Sequence, residues 1–293
     1  SGYGSPTSPT RQPLIGQVLR QGRQKRLERG LAEVVLGCQS RLDIRFYSAP
    51  CSAFEKKHMR KTPDFLVIGG GIIGTAVARA LKRTYRDALI TVLDKEASGH
   101  AHGSGRNSGV LHAGFYYKAE SHKAAFTRRG NQMLTAYCLE RGVALNPCGK
   151  LVVTRSVDEL DALDELYRRG QVNGVPLETL SEAEVREIEP RAKTVGRALF
   201  SPTTSSIDPV ALVQAMQSDA RSEGVHWRYG VAYQGRKGDE VLTSEGTLSP
   251  GYVVNTAGLY ADVIARDFGF STSYRILPFK GLYLYADDKE PPL

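Results

Sequence analysis

The 293-residue chain is 41% hydrophobic and 24% charged, ordinary for a globular protein and long enough for one large or two medium domains. Its net charge of +8 sits almost wholly in residues 1–60, with 11 Lys and Arg against 4 Asp and Glu; the remaining 28 basic and 27 acidic residues nearly cancel, which argues against nucleic acid as a partner. No apolar run reaches membrane-spanning length, leaving at most peripheral membrane association, and Cys38, Cys51, Cys138 and Cys148 form neither a C-x-x-C pair nor a zinc spacing.

Residues 1–60 read as a leader expected to be disordered: Ser, Pro, Thr and Gly first, then Arg20, Arg23, Lys25, Arg26 and Arg29. An Arg-rich, acid-poor segment resembles an organellar transit peptide, which would place the protein in mitochondria. Glu28, Glu33, Asp43 and Glu55 run against that pattern, and a natural start at Met59 would leave a cytoplasmic protein.

The chain is organised around Phe65-Leu66-Val67-Ile68-Gly69-Gly70-Gly71-Ile72-Ile73-Gly74. A β-branched apolar run enters Gly-x-Gly-x-x-Gly, and Ile73, Val77, Ala80 and Leu81 then recur at helical spacing. In such a strand–turn–helix unit Gly69 allows the tight turn, Gly71 lets the backbone approach a pyrophosphate, and Gly74 lets the helix pack on the strand. A second strand pattern, Ala88 to Leu93, ends in Asp94, twenty residues after Gly74, where an acid meets the ribose hydroxyls. Both halves of a dinucleotide-binding fingerprint are therefore present.

A loop dense in Gly, Ser, Asn and His follows from Ser98 to Tyr117, with no packing rationale of its own. Its glycines permit close approach to a ligand and its polar side chains suit phosphate or ring heteroatoms. His100 and His102 lack a third ligand at metal-site spacing, and no G-x-S-x-G elbow supports a serine hydrolase, so neither a metal nor that chemistry is expected. Residues 122–141 predict a helix with a stripe of Ala125, Phe126, Met133, Leu134, Tyr137 and Cys138, stopped by Gly142. Leu151 to Thr154 reads as a strand. Ser156-x-x-Glu159 predicts a capping box on a helix ending at Gly170, and Ser181-x-x-Glu184 a second box. Asp208-Pro209 predicts the start of a helix bearing Leu212, Ala215 and Met216. Strands are expected at Val225 to Tyr233, Glu240 to Thr243, Thr247 to Leu248, Gly251 into Asn255 and, alternating, Arg275 to Tyr285.

Taken together, the fingerprint ending in Asp94-Lys95, the loop Arg106-Asn107-Ser108-Gly109-Val110-Leu111-His112-Ala113-Gly114-Phe115-Tyr116-Tyr117, Cys148 to Val153, Tyr252 to Tyr260 and Arg275 to Gly281 are similar to the L-2-hydroxyglutarate dehydrogenases. These are FAD-dependent oxidoreductases of the D-amino-acid-oxidase type. The resemblance implies an α/β protein: a Rossmann-like FAD-binding domain (61–145 and 195–270) with an interleaved antiparallel-sheet substrate domain (146–194 and 271–293). The family continues beyond residue 293, so the C-terminal part of that domain is expected to be missing.

The resemblance also implies roles. Gly69, Gly71 and Gly74 would hold the FAD pyrophosphate, Asp94 with Lys95 the adenosine side, and Ser104 with Asn107 the phosphate and flavin side. Val231 would offer backbone to the adenine, and Ala257 and Gly258 would pack against the cofactor. His112 would take the proton of the substrate hydroxyl, with loop orientation by hydrogen bonds as its alternative role. Tyr116, Tyr117, Arg275 and Lys280 are the candidate anchors for a small 2-hydroxy acid. Lys280 replaces the family's arginine and Leu282 its acid, so a planar fork has become a point charge. The electron acceptor is left open between a quinone and oxygen, and an amino acid, an N-methyl amino acid or glycerol phosphate is the alternative substrate.

Overall fold

The computed structural model describes residues 62–279 and residue 281; the leader, Met59, Lys280 and residues 282–293 lie outside the described residues. In chain order the elements are β1 (Phe65–Ile68), α1 (Ile72–Thr84), β2 (Ile90–Asp94), β3 (Val110–Leu111), α2 (His122–Arg141), β4 (Leu145–Asn146), β5 (Lys150–Val152), α3 (Leu160–Val172) and β6 (Glu178–Ser181). There follow α4 (Glu182–Ile188), β7 (Arg197–Ser201), β8 (Ser205–Ile207), α5 (Pro209–Ser222), β9 (His226–Tyr229), β10 (Tyr233–Lys237), β11 (Glu240–Thr243), β12 (Gly246–Leu248), β13 (Tyr252–Asn255) and α6 (Ala261–Asp267).

The central sheet is parallel, in the order β13-β1-β2-β9, with Leu66 opposite both Val253 and Thr91. A parallel sheet must be covered on both faces, and the twofold alternation of β1 shows how this chain does it. Val67, Ile90 and Val92 point one way into a core with Ala78 of α1 and Ala220 of α5. Leu66, Ile68 and Leu93 point the other way, against Val231, Val241 of β11 and Ile264 of α6. Leu66, Val67, Ile90 and Val92 are fully buried, each contributing roughly 1.5–3 kcal/mol. The second cover includes the antiparallel meander β10-β11-β12.

Two smaller antiparallel sheets, β3-β8-β4 and β5-β7-β6, lie outside this sandwich. β7 thus joins the strands of 146–194 although its residues fall within 195–270. The two small sheets are linked through the 201–205 turn, where the Ser201 and Thr204 hydroxyls bond at 2.9 Å and Gly149 N donates to Thr204 O at 3.0 Å.

Several local expectations hold. α2 spans His122–Arg141 as expected and Gly142 ends it at φ 67°, with Ser121 found as its cap. The Ser181–Glu184 capping box is formed, and Asp208 accepts from Val210 and Ala211 with Pro209 in the first turn. Others are corrected by tertiary packing. The buried face of α1 is Gly74, Thr75, Ala78 and Arg79, while Ile73 is exposed. On α2 the buried positions are Ala124, Asn131 and Cys138, and Phe126 faces solvent. Glu159 does not close a box on Ser156, because its carboxylate takes the Arg155 amide and guanidinium instead. α3 runs through Gly170, whose missing side chain admits Leu177, and the chain turns at Gly174 with φ 65°. The single strand expected over 225–233 is split at Gly230, φ 71°. Residues 275–279 form no strand.

An ion-pair cluster fastens the helical cover. Arg79, buried on α1, meets Asp219 of α5 at 3.0 Å and Glu223, the residue that ends α5, at 2.7 Å; Arg83 and Arg141 add further contacts to the same acids. Tyr137 of α2 donates to Asp219 at 2.8 Å. Burial and that bond push the Tyr137 hydroxyl well above its ordinary range. Burial alone would raise Glu223, but the guanidinium groups of Arg79 and Arg83 outweigh it and hold the carboxyl low.

Candidate active site

The fingerprint turn is held by side chains from four elements. Gly69 has φ 104°, and a Cβ there would run into the backbone of Thr256 and Ala257. A Cβ on Gly74 would overlap the Gly69 carbonyl and stand 2.8 Å from Thr256 Oγ1. Both glycines are therefore required by the approach of β1, α1 and the end of β13. The turn carbonyls are satisfied by Thr256 Oγ1 to Gly69 O at 2.8 Å, Gln217 Nε2 to Gly70 O at 2.9 Å and Thr75 Oγ1 to Gly71 O at 2.9 Å. The sequence assigned none of the three a role, although Thr256 lies in the family-like stretch Tyr252 to Tyr260; pairing of β13 with β1 and packing of α5 bring Thr256 and Gln217 in.

Asp94 reaches the same turn. Its Oδ2 accepts from Gly70 N at 2.8 Å and its Oδ1 from Glu96 N at 2.9 Å. Each oxygen keeps capacity for a further donor such as a ribose hydroxyl. Lys95 turns outward, with its ammonium 4.0 Å from the Tyr260 ring centroid. Val231 is buried and its N–H is committed to Asp94 O at 3.0 Å, so it presents no free backbone donor to an adenine. Ala257 packs beside Gly69, and Gly258, φ 55°, opens the short turn to Tyr260.

At the N-terminus of α1 the Ile72 amide donates to Ser104 Oγ at 3.0 Å, and a Cβ on Gly71 would stand 2.8 Å from that oxygen. The cradle suits a dinucleotide pyrophosphate: the N-terminus of a helix, a glycine with no room for a side chain, and a hydroxyl opposite. A cleft of about 270 Å³ continues from it, lined by Ile72, Ser104, Asn107, Gly109, Leu111 and Leu212. Asn107 shapes this loop through both ends of its amide, which bond Gly103 O, Ser104 O and Gly109 N.

A second group of predicted residues gathers where β3 leaves the cleft. His112 follows Leu111 directly, is exposed, and makes no hydrogen bond to a described residue, so it does not orient the loop that way. Partial burial and then the nearby Lys150 charge hold its imidazole below the ordinary value. The Tyr116 ring packs on Phe115 at 4.2 Å, with Lys150 Nζ 4.7 Å from its centroid, and burial raises its hydroxyl. Tyr117 lies under Lys123 and its carbonyl accepts from Asn173. Arg275 is exposed in an irregular segment, with no contact to either group among the described residues. Among those residues no three His, Cys, Asp or Glu cluster as a metal site, and no helix is long and apolar enough to cross a membrane.

Residues 64–293 match the family FAD dependent oxidoreductase (DAO). The chain belongs to that family. It is 34% identical over 225 residues to an L-2-hydroxyglutarate dehydrogenase of Escherichia coli (strain K12), covering 75% of this chain and 53% of the relative. It is 35% identical over 247 residues to the mitochondrial L-2-hydroxyglutarate dehydrogenase of Homo sapiens, covering 75% and 51%. The chain thus spans about half the length of these relatives. Among solved structures, glycine oxidase from Geobacillus kaustophilus shares its fold with a TM-score of 0.64 at 23% identity, covering 71% of this chain and 58% of the other. L-proline dehydrogenase from P.horikoshii does so at 0.65 and 24%, covering 72% and 57%.

Proposed function

We propose that this chain holds FAD along the Gly69–Gly74 turn and, within the full-length enzyme, oxidises L-2-hydroxyglutarate to the 2-oxo acid. The observation carrying the reading is the convergence on one turn of Asp94, which accepts from the Gly70 amide, and Ser104, which accepts from the Ile72 amide at the N-terminus of α1. The L-2-hydroxyglutarate dehydrogenases among its relatives support the substrate. In this reading the parallel sheet and its covers carry the cofactor, and the small antiparallel sheets carry the substrate side.

Gly69, Gly71 and Gly74 shape the pyrophosphate cradle, Asp94 accepts from the ribose, and Ser104 turns its hydroxyl from the Ile72 amide toward a phosphate. Lys95 flanks the adenosine side, while Ala257 and Gly258 close over the turn. FAD supplies an acceptor for the hydride leaving the substrate carbon. His112, whose pKa is lowered by partial burial and Lys150, accepts the hydroxyl proton on an imidazole nitrogen. Tyr116 and Tyr117 wall the substrate side, and the Leu111 end of the cleft excludes water from the reacting carbon.

An anaerobic visible spectrum tests this. Oxidised flavin that bleaches with L-2-hydroxyglutarate and not with the D enantiomer is the expected result. A flavin spectrum that neither enantiomer changes rejects the substrate, and absence of bound flavin rejects the cofactor site.

A further inference from the structure

We infer that Lys150 is a carboxylate anchor of the substrate site, standing beside His112 and Tyr116. The inference rests on the proposed function for the identity of the carboxylate, and on this chain's own geometry for the site. The topology explains the meeting. Leu111 of β3 pairs with Ser205 of β8, and Lys150 of β5 pairs with Ser201 of β7. The 201–205 turn therefore carries His112 and Lys150 on its two sides, and the Ser201–Thr204 hydroxyl bond and the Gly149 amide on Thr204 O lock it.

The charge balance of the group points to an anion. Lys150 is half-buried, lies over the Tyr116 ring with Nζ 4.7 Å from the centroid, and has no ion pair among the described residues. A half-buried ammonium held over an aromatic ring beside an imidazole, with no carboxylate of the described residues against it, is placed to receive an anion. A substrate carboxylate supplies it, and the same contact sets the hydroxyl of a 2-hydroxy acid near His112. Arg275, by contrast, is exposed and reaches no member of the group.

The test uses the full chain with its flavin and the probe glutarate, a dicarboxylate with no hydroxyl to oxidise. Glutarate should bind wild type and raise the His112 pKa followed by NMR, because a bound carboxylate offsets the Lys150 charge. Lys150→Gln should weaken glutarate binding about 10- to 100-fold, as expected for a lost hydrogen bond to a charged group, while Lys150→Arg stays within about threefold. For L-2-hydroxyglutarate, Lys150→Gln should raise KM with kcat nearly unchanged, the signature of lost uniform binding. In the same variant without ligand the His112 pKa should rise. Glutarate binding unaffected by Lys150→Gln, or a wild-type His112 that glutarate does not move, overturns the anchor; the second result needs no variant to fold. Glutarate binding that depends on Lys150, with no bleaching by L-2-hydroxyglutarate, keeps the anchor and rejects the substrate.

Discussion

Asp94→Asn separates the two tasks placed on one carboxylate. Each Asp94 oxygen accepts one backbone amide, Gly70 at 2.8 Å and Glu96 at 2.9 Å. Asparagine has the same shape but a single acceptor, so its NH₂ must face one of those N–H groups. Losing one charge-assisted bond and leaving a donor against a donor costs about 1.5–3 kcal/mol. For a domain of this size that lowers the melting temperature of the flavin-free protein by about 3–12 °C. If the second lone pair also accepts a ribose hydroxyl, FAD affinity falls about tenfold or more beyond this, read by flavin fluorescence titration at a temperature where both proteins are folded. A melt within about 1 °C of wild type would refute the structural task, since the turn would then not depend on those bonds. An FAD affinity within about twofold of wild type refutes the ribose contact.

Arg79→Met leaves Asp219 and Glu223 with only Arg83, Arg141 and Tyr137, and should cost about 3 kcal/mol in urea unfolding, the low end for breaking a buried pair. Because Arg79 and Arg83 hold the Glu223 carboxyl below its ordinary range against burial, its contribution is present above the unfolded-state value and lost as pH falls through the lower, folded one. Arg79→Met should shrink that acid-side loss in melts taken at successive pH values. Gly71→Ala forces a methyl against Ser104 Oγ and should lower FAD affinity about 5- to 100-fold by titration. Since burial and Lys150 depress the His112 pKa in the free protein, the second-order rate of flavin reduction at low substrate should fall only below the ordinary imidazole value, and His112→Gln should remove that limb from the stopped-flow pH profile.

The elements legible in the sequence were those whose signals are local. Glycine spacing and two strand patterns marked β1, α1 and β2, and Ser181 and Asp208 marked helix starts because a cap is made within three residues. Where two local partners competed, the expectation failed: Glu159 chose the Arg155 backbone and guanidinium over Ser156. Gly170 stayed helical because Leu177 fills the space its side chain would need, information carried by a residue outside the helix. The site divides the same way. Asp94 was legible from its interval after Gly74; Thr256 and Lys150 lie in family-like stretches without a role legible there, and Gln217 lies in none, because strand pairing and helix packing bring all three to their places.

The clamp of Thr256 on Gly69 joins residues 187 positions apart, and β1 lies between β2 and β13. During synthesis the fingerprint emerges early, yet its turn has no partner for the Gly69 carbonyl and its central strand has one bare edge until β13 leaves the ribosome. Closure over so long a separation is entropically slow. Nascent chains stalled before residue 256 should therefore fail to retain flavin, so the glycines made first wait for a strand made 187 positions later before the cofactor can load.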